Sequence, residues 1–308
     1  MNKQFKALII SLLFFFIAYT TAADSSEFST RPITDAEVNI LERFARYSFL
    51  TNDQSISEVA NWTCDTCKEI TNDTKSIIVK PVKIPISVDK NSNIVDFLAY
   101  IIVNKQTKEI VITFRGTADL VNDYIADIGS FNLVKYSVKN PQSSRFNKDI
   151  RVSEGFFTVW QRFQSSNLTS TLTSFMKGFP SFNVSVTGHS LGGALGLFQT
   201  LDIKQNLPKA KLCFYGFNMP RGGNEYFANY VNEELDCIYR VVSKADLISR
   251  VPPRPFWVQP KGEVWIFDPH KQPYTKGAIV CSGNDNPNCS LSVYPNFFDH
   301  LGPFFGVG

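Results

Sequence analysis

One segment carries the strongest structural signal of this chain: Val184-Ser185-Val186-Thr187-Gly188-His189-Ser190-Leu191-Gly192-Gly193-Ala194. The β-branched run that enters it predicts a strand, and the small-residue run that leaves it predicts a helix. Between them, glycines stand two residues before and two residues after Ser190, where missing side chains allow a very tight turn. The segment therefore predicts a strand, a turn and a helix, with the Ser190 hydroxyl exposed on a strained backbone.

The spacing Gly188-x-Ser190-x-Gly192 is that of a nucleophile elbow. A helix that begins at Leu191 would direct its unpaired N–H groups, and the positive end of its dipole, at charge that develops beside Ser190. His189 adjoins the serine, and its side chain is predicted to point away from the hydroxyl. The alternative interpretation is a tight glycine turn without chemistry.

The segments around the elbow alternate between helix and strand patterns. A long helix is predicted over Gly155 to Lys177, a strand over Lys211 to Phe217, a helix over Gly223 to Leu235 and a strand over Cys237 to Val242. This alternation is typical of an α/β fold with a mainly parallel central sheet and helices on both faces. A single domain over residues 24–308 is expected.

The N-terminal half is predicted to add one helix and one hairpin. The capping box of Thr34 and Glu37 predicts a helix start. Residues 51–89 are predicted to be loop with short strands. Strands are predicted over Asp96 to Val103 and over Glu109 to Phe114, joined by a polar turn.

A serine nucleophile needs a positioned base, and the base needs an orienting acid. After an elbow these follow in the order serine, acid, histidine. Of the three histidines, His300 in an aromatic-rich segment is favoured as the base over His270 in a turn. Asp246 is favoured as the acid because it follows a predicted strand at its carboxyl end, where α/β folds build their sites. Asp236 lies at the other end of that strand.

Residues 1–23 have the pattern of a secretory signal peptide. Lys3 and Lys6 precede an apolar core from Ala7 to Ile17, and small residues suited to cleavage follow. The core is too short for a transmembrane helix, and no later stretch is long enough either. Secretion is expected, or delivery to the lumen of the secretory or lysosomal pathway.

The charge of the chain excludes one class of partner. Removing residues 1–23 takes away two lysines and no acidic residue, so the formal net charge falls from +3 to +1. A nearly neutral protein lacks the electrostatic footprint of a nucleic-acid binder. The remaining chain, about 285 residues, is long enough to bury the core of one large domain.

The six cysteines of a secreted chain are expected to form disulfides. Fifteen pairings are possible. Short spacings favour Cys64–Cys67 and Cys281–Cys289, and Cys213–Cys237 would remain if their strands are neighbours. A zinc or redox site at Cys64-x-x-Cys67 is the alternative, but no second pair stands at metal-binding spacing.

Five sequons offer candidate glycosylation sites, at Asn61, Asn72, Asn167, Asn183 and Asn288. Asn183 borders the predicted elbow strand, so the other four are the preferred candidates.

Two further features follow the predicted hairpin. Thr117, after Arg115 and Gly116 at a strand end, could place a backbone N–H and a hydroxyl beside a neighbouring site, or could belong to an ordinary turn. Residues 118–131 predict a short amphipathic helix, either a movable cover over an apolar pocket or a fixed surface helix. Its candidate cover residues are Ala118, Leu120, Val121, Tyr124 and Ile125.

Together these motifs resemble the class 3 lipases, secreted fungal-type triacylglycerol lipases with an α/β-hydrolase fold. The matching motifs span residues 95–305 in the family's order: Phe114-Arg115-Gly116-Thr117, Gly188 to Ala194, Pro220-Arg221-Gly222-Gly223-Asn224, Asp246 before Val251-Pro252-Pro253, Glu263-Val264-Trp265 and Asp299-His300. The resemblance implies a triad of Ser190, His300 and Asp246. It also implies oxyanion donors at Thr117 and the Leu191 backbone, under a lid near Ala118 to Ile125.

The chain departs from the family pattern at three places. Ser153-Glu154 precedes Gly155-Phe156 where the family often has a histidine, and Gln259 to Gly262 stands where another histidine is common. The predicted lid lacks the tryptophan of many fungal members and has Tyr124 nearby.

The sequence thus predicts a secreted serine ester hydrolase, a triacylglycerol lipase that acts through an acyl-enzyme at a lipid–water interface. A monomer without metal or cofactor is expected. Phospholipase A1 and a feruloyl-type esterase are alternatives with the same chemistry. A catalytically silent lipid-binding relative is the alternative without chemistry.

Overall fold

The computed structural model describes residues 28–51, 55–87, 94–116, 132–138, 149–166 and 168–308. The predicted signal peptide, Thr117, the predicted lid over 118–125 and the sequon residue Asn167 lie outside these residues. The strands within them are β1 (Thr30–Pro32), β2 (Ile77–Ser87), β3 (Ile94–Asn104), β4 (Glu109–Phe114), β5 (Leu133–Lys135), β6 (Arg151–Ser153), β7 (Asn183–His189), β8 (Leu212–Phe217), β9 (Ile238–Ser243), β10 (Glu263–Ile266) and β11 (Ala278–Cys281).

The α-helices of the described ranges lie before β2 and between the later strands. They are α1 (Asp35–Phe49), α2 (Ile56–Ala60), α3 (Asp65–Ile70), α4 (Glu154–Ser165), α5 (Leu168–Gly178), α6 (Leu191–Asn206) and α7 (Glu225–Glu234). Short 3₁₀ helices occur in the loops, among them Phe297–Leu301. None of the helices in this part of the chain combines the length and the apolar composition needed to span a bilayer.

Among the described residues, nine strands form one mixed sheet in the order β1-β11-β10-β9-β8-β7-β4-β3-β2. The five central strands from β10 to β4 are parallel. Two further strands lie on each side of them, and each of these four strands pairs with its inner neighbour in antiparallel orientation. The predicted parallel sheet is confirmed at its centre. Short connections explain part of the antiparallel borders, because residues 105–108 reverse the chain between β3 and β4 and residues 267–277 reverse it between β10 and β11.

Alternate residues of the strands face two separate cores. Along β4, Ile110, Ile112 and Phe114 join one core, whereas Val111 joins the other. The first core also holds the apolar sides of α4, α5, α6 and α7, and the second holds that of α1. Helices therefore cover both faces of the sheet, as the sequence predicts.

The first helix begins where the capping box predicts. The Glu37 backbone N–H donates to Thr34 Oγ1 at 3.2 Å, and the Thr34 N–H donates to Glu37 Oε2 at 2.9 Å. Arg31 also donates to the Glu37 carboxylate, and this bond lowers the pKa of Glu37 to about 2. The cap thus joins the end of β1 to the start of α1.

Two predictions about secondary structure are wrong. The single helix over Gly155 to Lys177 is two helices, because the Ser166 hydroxyl donates to the Phe163 carbonyl at 2.6 Å and accepts from Leu168 N at 3.3 Å. Such side-chain bonds to the backbone interrupt a helix. Residues 51–89 contain α2, α3 and the whole of β2 instead of loop with short strands. Pro81 and Pro85 argue against a strand at β2. An edge strand tolerates proline, because the N–H groups on its outer side have no neighbouring strand to bond.

All six cysteines pair as the sequence favours. The disulfides are Cys64–Cys67, Cys213–Cys237 and Cys281–Cys289. Cys213 and Cys237 meet because β8 and β9 are neighbouring parallel strands, with Phe214 opposite Ile238. No thiol is left free.

Candidate active site

Ser190 occupies a strained turn between β7 and α6. Its φ is 56° and its ψ is −130°, a region that residues with a Cβ rarely adopt. The Ser190 N–H donates to the Phe217 carbonyl at 2.9 Å, and the Ser190 carbonyl accepts from Gly193 N at 2.9 Å. The end of β8 and the first turn of α6 thus hold this backbone in place.

The two glycines of the elbow are explained by close backbone contacts. A Cβ on Gly188 would overlap the backbone of Gly192. A Cβ on Gly192 would overlap the carbonyl of Phe114 at the end of β4. Their absence lets α6 begin directly against β7 and β4, which is the tight turn that the spacing predicts.

Ser190, His300 and Asp246 form a hydrogen-bonded chain. Ser190 Oγ lies 2.8 Å from His300 Nε2, and His300 Nδ1 lies 3.0 Å from Asp246 Oδ1. Because Nδ1 faces a carboxylate, it carries the proton, and Nε2 is free to accept from the serine hydroxyl. Ser190 is 3% exposed, so the prediction of an exposed hydroxyl is wrong: Oγ faces the imidazole instead of solvent.

The Asp246 carboxylate is oriented by its own loop. Ile248 N donates to Oδ1 at 3.1 Å, and Ser249 N donates to Oδ2 at 2.9 Å. The same loop joins the segment that carries His300, because Asn296 N donates to the Ala245 carbonyl at 2.7 Å. Acid and base therefore sit on segments that are bonded to each other, at the carboxyl ends of the parallel strands.

His189 contacts the backbone of His300 instead of the serine hydroxyl. Its Nε2 lies 2.7 Å from the His300 carbonyl, and the two ring centroids are 4.7 Å apart. Burial lowers the pKa of His189 to about 3, so the ring is neutral near pH 7. Nε2 faces an acceptor and must therefore be the protonated nitrogen.

His270 is not part of this arrangement. It is exposed in the turn after β10, where its backbone N–H donates to Asp268 Oδ1 at 3.2 Å. The structure therefore places His300, the histidine that the sequence favours, beside Ser190.

The end of β4 lies beside the elbow. A Cβ on Gly116 would stand 3.5 Å from Ser190 Cβ and 2.9 Å from the His189 carbonyl oxygen. Thr117 follows Gly116 in sequence but lies outside the described residues. Leu191, the other candidate oxyanion donor, is the first residue of α6.

Buried arginines brace the surrounding loops, and the sequence reasoning missed their role. Arg221 donates from Nη2 to Asp285 Oδ1 at 2.9 Å and from Nε to Oδ2 at 3.1 Å. Arg250 donates to the carbonyls of Ser290 at 2.5 Å and Val293 at 2.6 Å, and burial lowers its pKa to about 10. The Pro220-Arg221 motif was a signal for the role of Arg221, but no local pattern indicated the carbonyls that Arg250 binds.

One cluster of metal-ligating residue types occurs in the described chain, at Glu263, Cys281 and Cys289. The two cysteines form a disulfide, so neither sulfur is a thiolate. Glu263 Oε1 already accepts from Ser290 N at 3.0 Å. This donor set does not suit a metal.

Known proteins are similar to this chain in both sequence and fold. Residues 111–256 match the family model for lipase (class 3). A lipase of Rhizomucor miehei is 32% identical over 284 residues, which cover 90% of this chain and 71% of that protein. A secreted mono- and diacylglycerol lipase of Malassezia globosa is 29% identical over 203 residues, which cover 64% of each.

The solved structure of a triacylglyceride lipase from Rhizomucor miehei has a TM-score of 0.72 and 28% identity, and the match covers 91% of this chain and 98% of that chain. Sequence, fold and the serine turn thus agree. The chain belongs to the class 3 lipase family, the carboxylic ester hydrolases that its motifs predict, and has the α/β-hydrolase fold.

Proposed function

We propose that this protein is a secreted triacylglycerol lipase in which Ser190 is the nucleophile, His300 the base and Asp246 the orienting acid. One observation carries the proposal. Ser190 Oγ, on a strained turn, lies 2.8 Å from an imidazole whose other nitrogen lies 3.0 Å from a fully buried carboxylate. That geometry suits proton removal from a serine hydroxyl and little else.

The reaction follows from these contacts. Ser190 Oγ attacks the ester carbonyl carbon while His300 Nε2 takes the hydroxyl proton, which gives a tetrahedral oxyanion. The C–O bond to the alcohol then breaks, and the imidazolium returns the proton to the departing oxygen. Water repeats both steps on the acyl-enzyme and releases the fatty acid. Asp246 stabilises the imidazolium in both halves of the reaction.

The oxyanion would be held by the Leu191 N–H, at the start of α6, and by Thr117. The closeness of Gly116 to Ser190 supports the second assignment, because it brings the end of β4 to the elbow. Loss of one such donor typically costs about 3 kcal/mol of transition-state stabilisation. The segment over Ala118 to Ile125 is proposed as the lid.

Secretion as one domain over residues 24–308 is supported by the N-terminal pattern and the three disulfides. The sequon residues Asn61, Asn72 and Asn288 are exposed, as a glycan requires. Asn183 is exposed as well, since only the later residues of β7 are buried. The strand therefore does not exclude this sequon on grounds of burial.

The test is fatty-acid release by the purified, disulfide-intact protein, with Ser190→Ala alongside. Tributyrin is titrated through its solubility limit, and emulsified triolein is measured separately. A Ser190-dependent rate that rises most steeply once droplets form supports a lipase. Cleavage of soluble esters alone would reduce the assignment to an esterase. Release only from phospholipid vesicles would indicate a phospholipase A1, and no release from any ester would overturn the proposal.

A further inference from the structure

We infer that Asn218 is a positioning residue that fixes the backbone of His300, and so sets the distance between the imidazole and Ser190 Oγ. The inference rests on the proposed function, since it gives the catalytic base its place. Asn218 follows directly after β8 and is fully buried. It touches none of the reacting atoms in the proposed mechanism.

The side chain of Asn218 joins two of the segments that build the site. Its Nδ2 donates to the carbonyl of His300 at 2.8 Å and to that of Asp299 at 3.1 Å. Its Oδ1 accepts from Ser243 N at 2.9 Å, at the end of the strand that leads to Asp246. One amide therefore ties the base segment to the acid segment.

The orientation of this amide follows from its partners. Two carbonyl oxygens face one end and an N–H faces the other, so only one of the two flipped states satisfies all three bonds. A flipped amide would set oxygen against two oxygens and N–H against N–H. The three bonds form a matched set of donors and acceptors.

The backbone of Asn218 connects it to the third segment. Phe217, the preceding residue, accepts from Ser190 N at 2.9 Å, and Asn218 N donates to Val241 O at 2.8 Å. The amide is thus mounted on the same strand end that holds the nucleophile. Its position relative to Ser190 is set by the sheet.

The segment that carries His300 is held from its inner side. Phe298 is 90% exposed and Leu301 is 59% exposed, so these two side chains contribute little packing, whereas the buried Asp299 carboxylate accepts from Lys244 Nζ and Ala245 N, each at 3.2 Å. Asn218 and His189 both donate to the His300 carbonyl, at 2.8 Å and 2.7 Å. Without the Asn218 amide, the Asp299 carbonyl loses its bond from Nδ2. The His300 carbonyl then keeps only His189 of these two donors.

Two substitutions remove the donor and keep the backbone. Asn218 has a φ of 43°, which glycine, asparagine and aspartate tolerate better than other residues. Asn218→Gly removes the whole amide. Asn218→Asp keeps the acceptor for Ser243 N but places a carboxylate against two carbonyls, except at low pH, where the protonated acid can donate again.

Asn104 offers a matched control at the opposite end of the sheet. It is also a buried amide, with Nδ2 donating to Tyr47 Oη at 3.1 Å and Oδ1 accepting from Gln106 N at 3.0 Å. Asn104→Gly and Asn104→Asp therefore report what the loss of any buried amide does to stability. We expect them to lower the Tm and to leave kcat unchanged.

The experiment compares these four variants with wild type and Ser190→Ala on p-nitrophenyl butyrate, a soluble ester that needs no lipid surface. We expect Asn218→Gly to lower kcat about 10- to 100-fold with KM within about twofold, because a small misplacement of a catalytic group is costly. The ratio of Asn218→Asp to wild-type kcat should rise as the pH falls from about 8 to about 5, since a protonated acid restores one donor. Taking the ratio removes the pH dependence that the two enzymes share.

A crystal structure of Asn218→Gly gives a readout that does not depend on the substrate. We expect the distance from His300 Nε2 to Ser190 Oγ to exceed its wild-type 2.8 Å. An unchanged distance, or a kcat equal to wild type with only a Tm loss like that of Asn104→Gly, would overturn the inference. Absence of ester hydrolysis in the wild type would overturn the proposed function instead, and the crystallographic distance would still decide the role of Asn218.

Discussion

At the scale of single residues, Asp246 makes the most specific contribution to the site. Asp246 Oδ1 accepts from His300 Nδ1 at 3.0 Å, while Oδ2 accepts from Ser249 N at 2.9 Å. An asparagine has only one oxygen, so its NH₂ group faces either the imidazole or the Ser249 N–H. In the first case the imidazole proton moves to Nε2, which then cannot accept from Ser190.

We therefore expect Asp246→Asn to lower kcat about 10⁴-fold, the typical effect of this tautomer change. Steady-state hydrolysis of p-nitrophenyl butyrate measures it, with the Tm followed by circular dichroism. Asp236→Asn is the control, an exposed acid just before β9 that should leave kcat unchanged. Equal losses in the two variants would contradict the role assigned to Asp246.

The sequence predicts the residues of the site better than the residues that hold them. Ser190, Asp246 and His300 could be found because a nucleophile, an acid and a base are constrained by residue type and by order along the chain. The roles of Asn218 and Arg250 could not be predicted, because their partners are backbone carbonyls far away in sequence. Any residue has a carbonyl, so no pattern marks such a partner before the fold is known.

At the scale of elements, the start of α1 depends on a charged capping box. Arg31 holds the pKa of Glu37 at about 2, below its ordinary value of 4.5. A carboxyl whose pKa is lowered by folding contributes stability above its unfolded pKa. That contribution is lost as the pH falls towards the folded value. Glu37→Gln keeps an acceptor for Thr34 N, but it removes the charge and replaces Oε1, the acceptor of Arg31 Nη2, by an NH₂ group.

We expect Glu37→Gln to reduce the free energy of unfolding by about 0.5 kcal/mol at pH 7, a small value because Arg31 is half exposed. The difference from wild type should shrink between about pH 4.5 and pH 2, as Glu37 itself becomes protonated. Urea unfolding of the disulfide-intact protein at several pH values measures this. Glu233→Gln, an exposed carboxylate on α7, controls for the loss of one negative charge. A difference that stays constant down to pH 2 would contradict the charge argument.

Elements with a single strong local signal could be predicted, and those with conflicting signals could not. The capping box located α1, and the glycines and β-branched run located β7 and α6. The prediction missed β2 because its prolines argue against a strand. Only the place of β2 at the sheet edge makes these prolines acceptable. Edge position is a property of the whole sheet and cannot be seen in eleven residues.

At the scale of the whole molecule, strand alternation predicts the parallel centre of the sheet but not its borders. In the centre, β7, β8 and β9 are neighbours in the order of the chain, joined by crossovers through α6 and α7. At the borders, the polar turn at residues 105–108 predicts the reversal between β3 and β4, but no local pattern announces the reversal at residues 267–277 between β10 and β11. The site lies at the carboxyl ends of the central strands, so the part that sequence predicts best is the part that carries the chemistry.

The surface around His300 allows a last prediction about interfacial action. Phe298 and Leu301 are three residues apart on one 3₁₀ helix, with exposures of 90% and 59%. Side chains three apart on such a helix share a face, so both apolar groups project beside the base. At a lipid surface each would leave water, a transfer worth about 1.5–3 kcal/mol for a fully buried side chain.

We therefore expect Phe298→Ser combined with Leu301→Ser to lower hydrolysis of emulsified triolein at least tenfold, and hydrolysis of p-nitrophenyl butyrate less than twofold. Leu207→Ser is the matched control, because Leu207 is 39% exposed just beyond the far end of α6, away from the elbow. Its effect on the emulsion rate should be negligible. If both substrates lose the same factor, the two side chains support the position of His300 and do not contact lipid. If neither rate changes, droplets are engaged by another part of the surface.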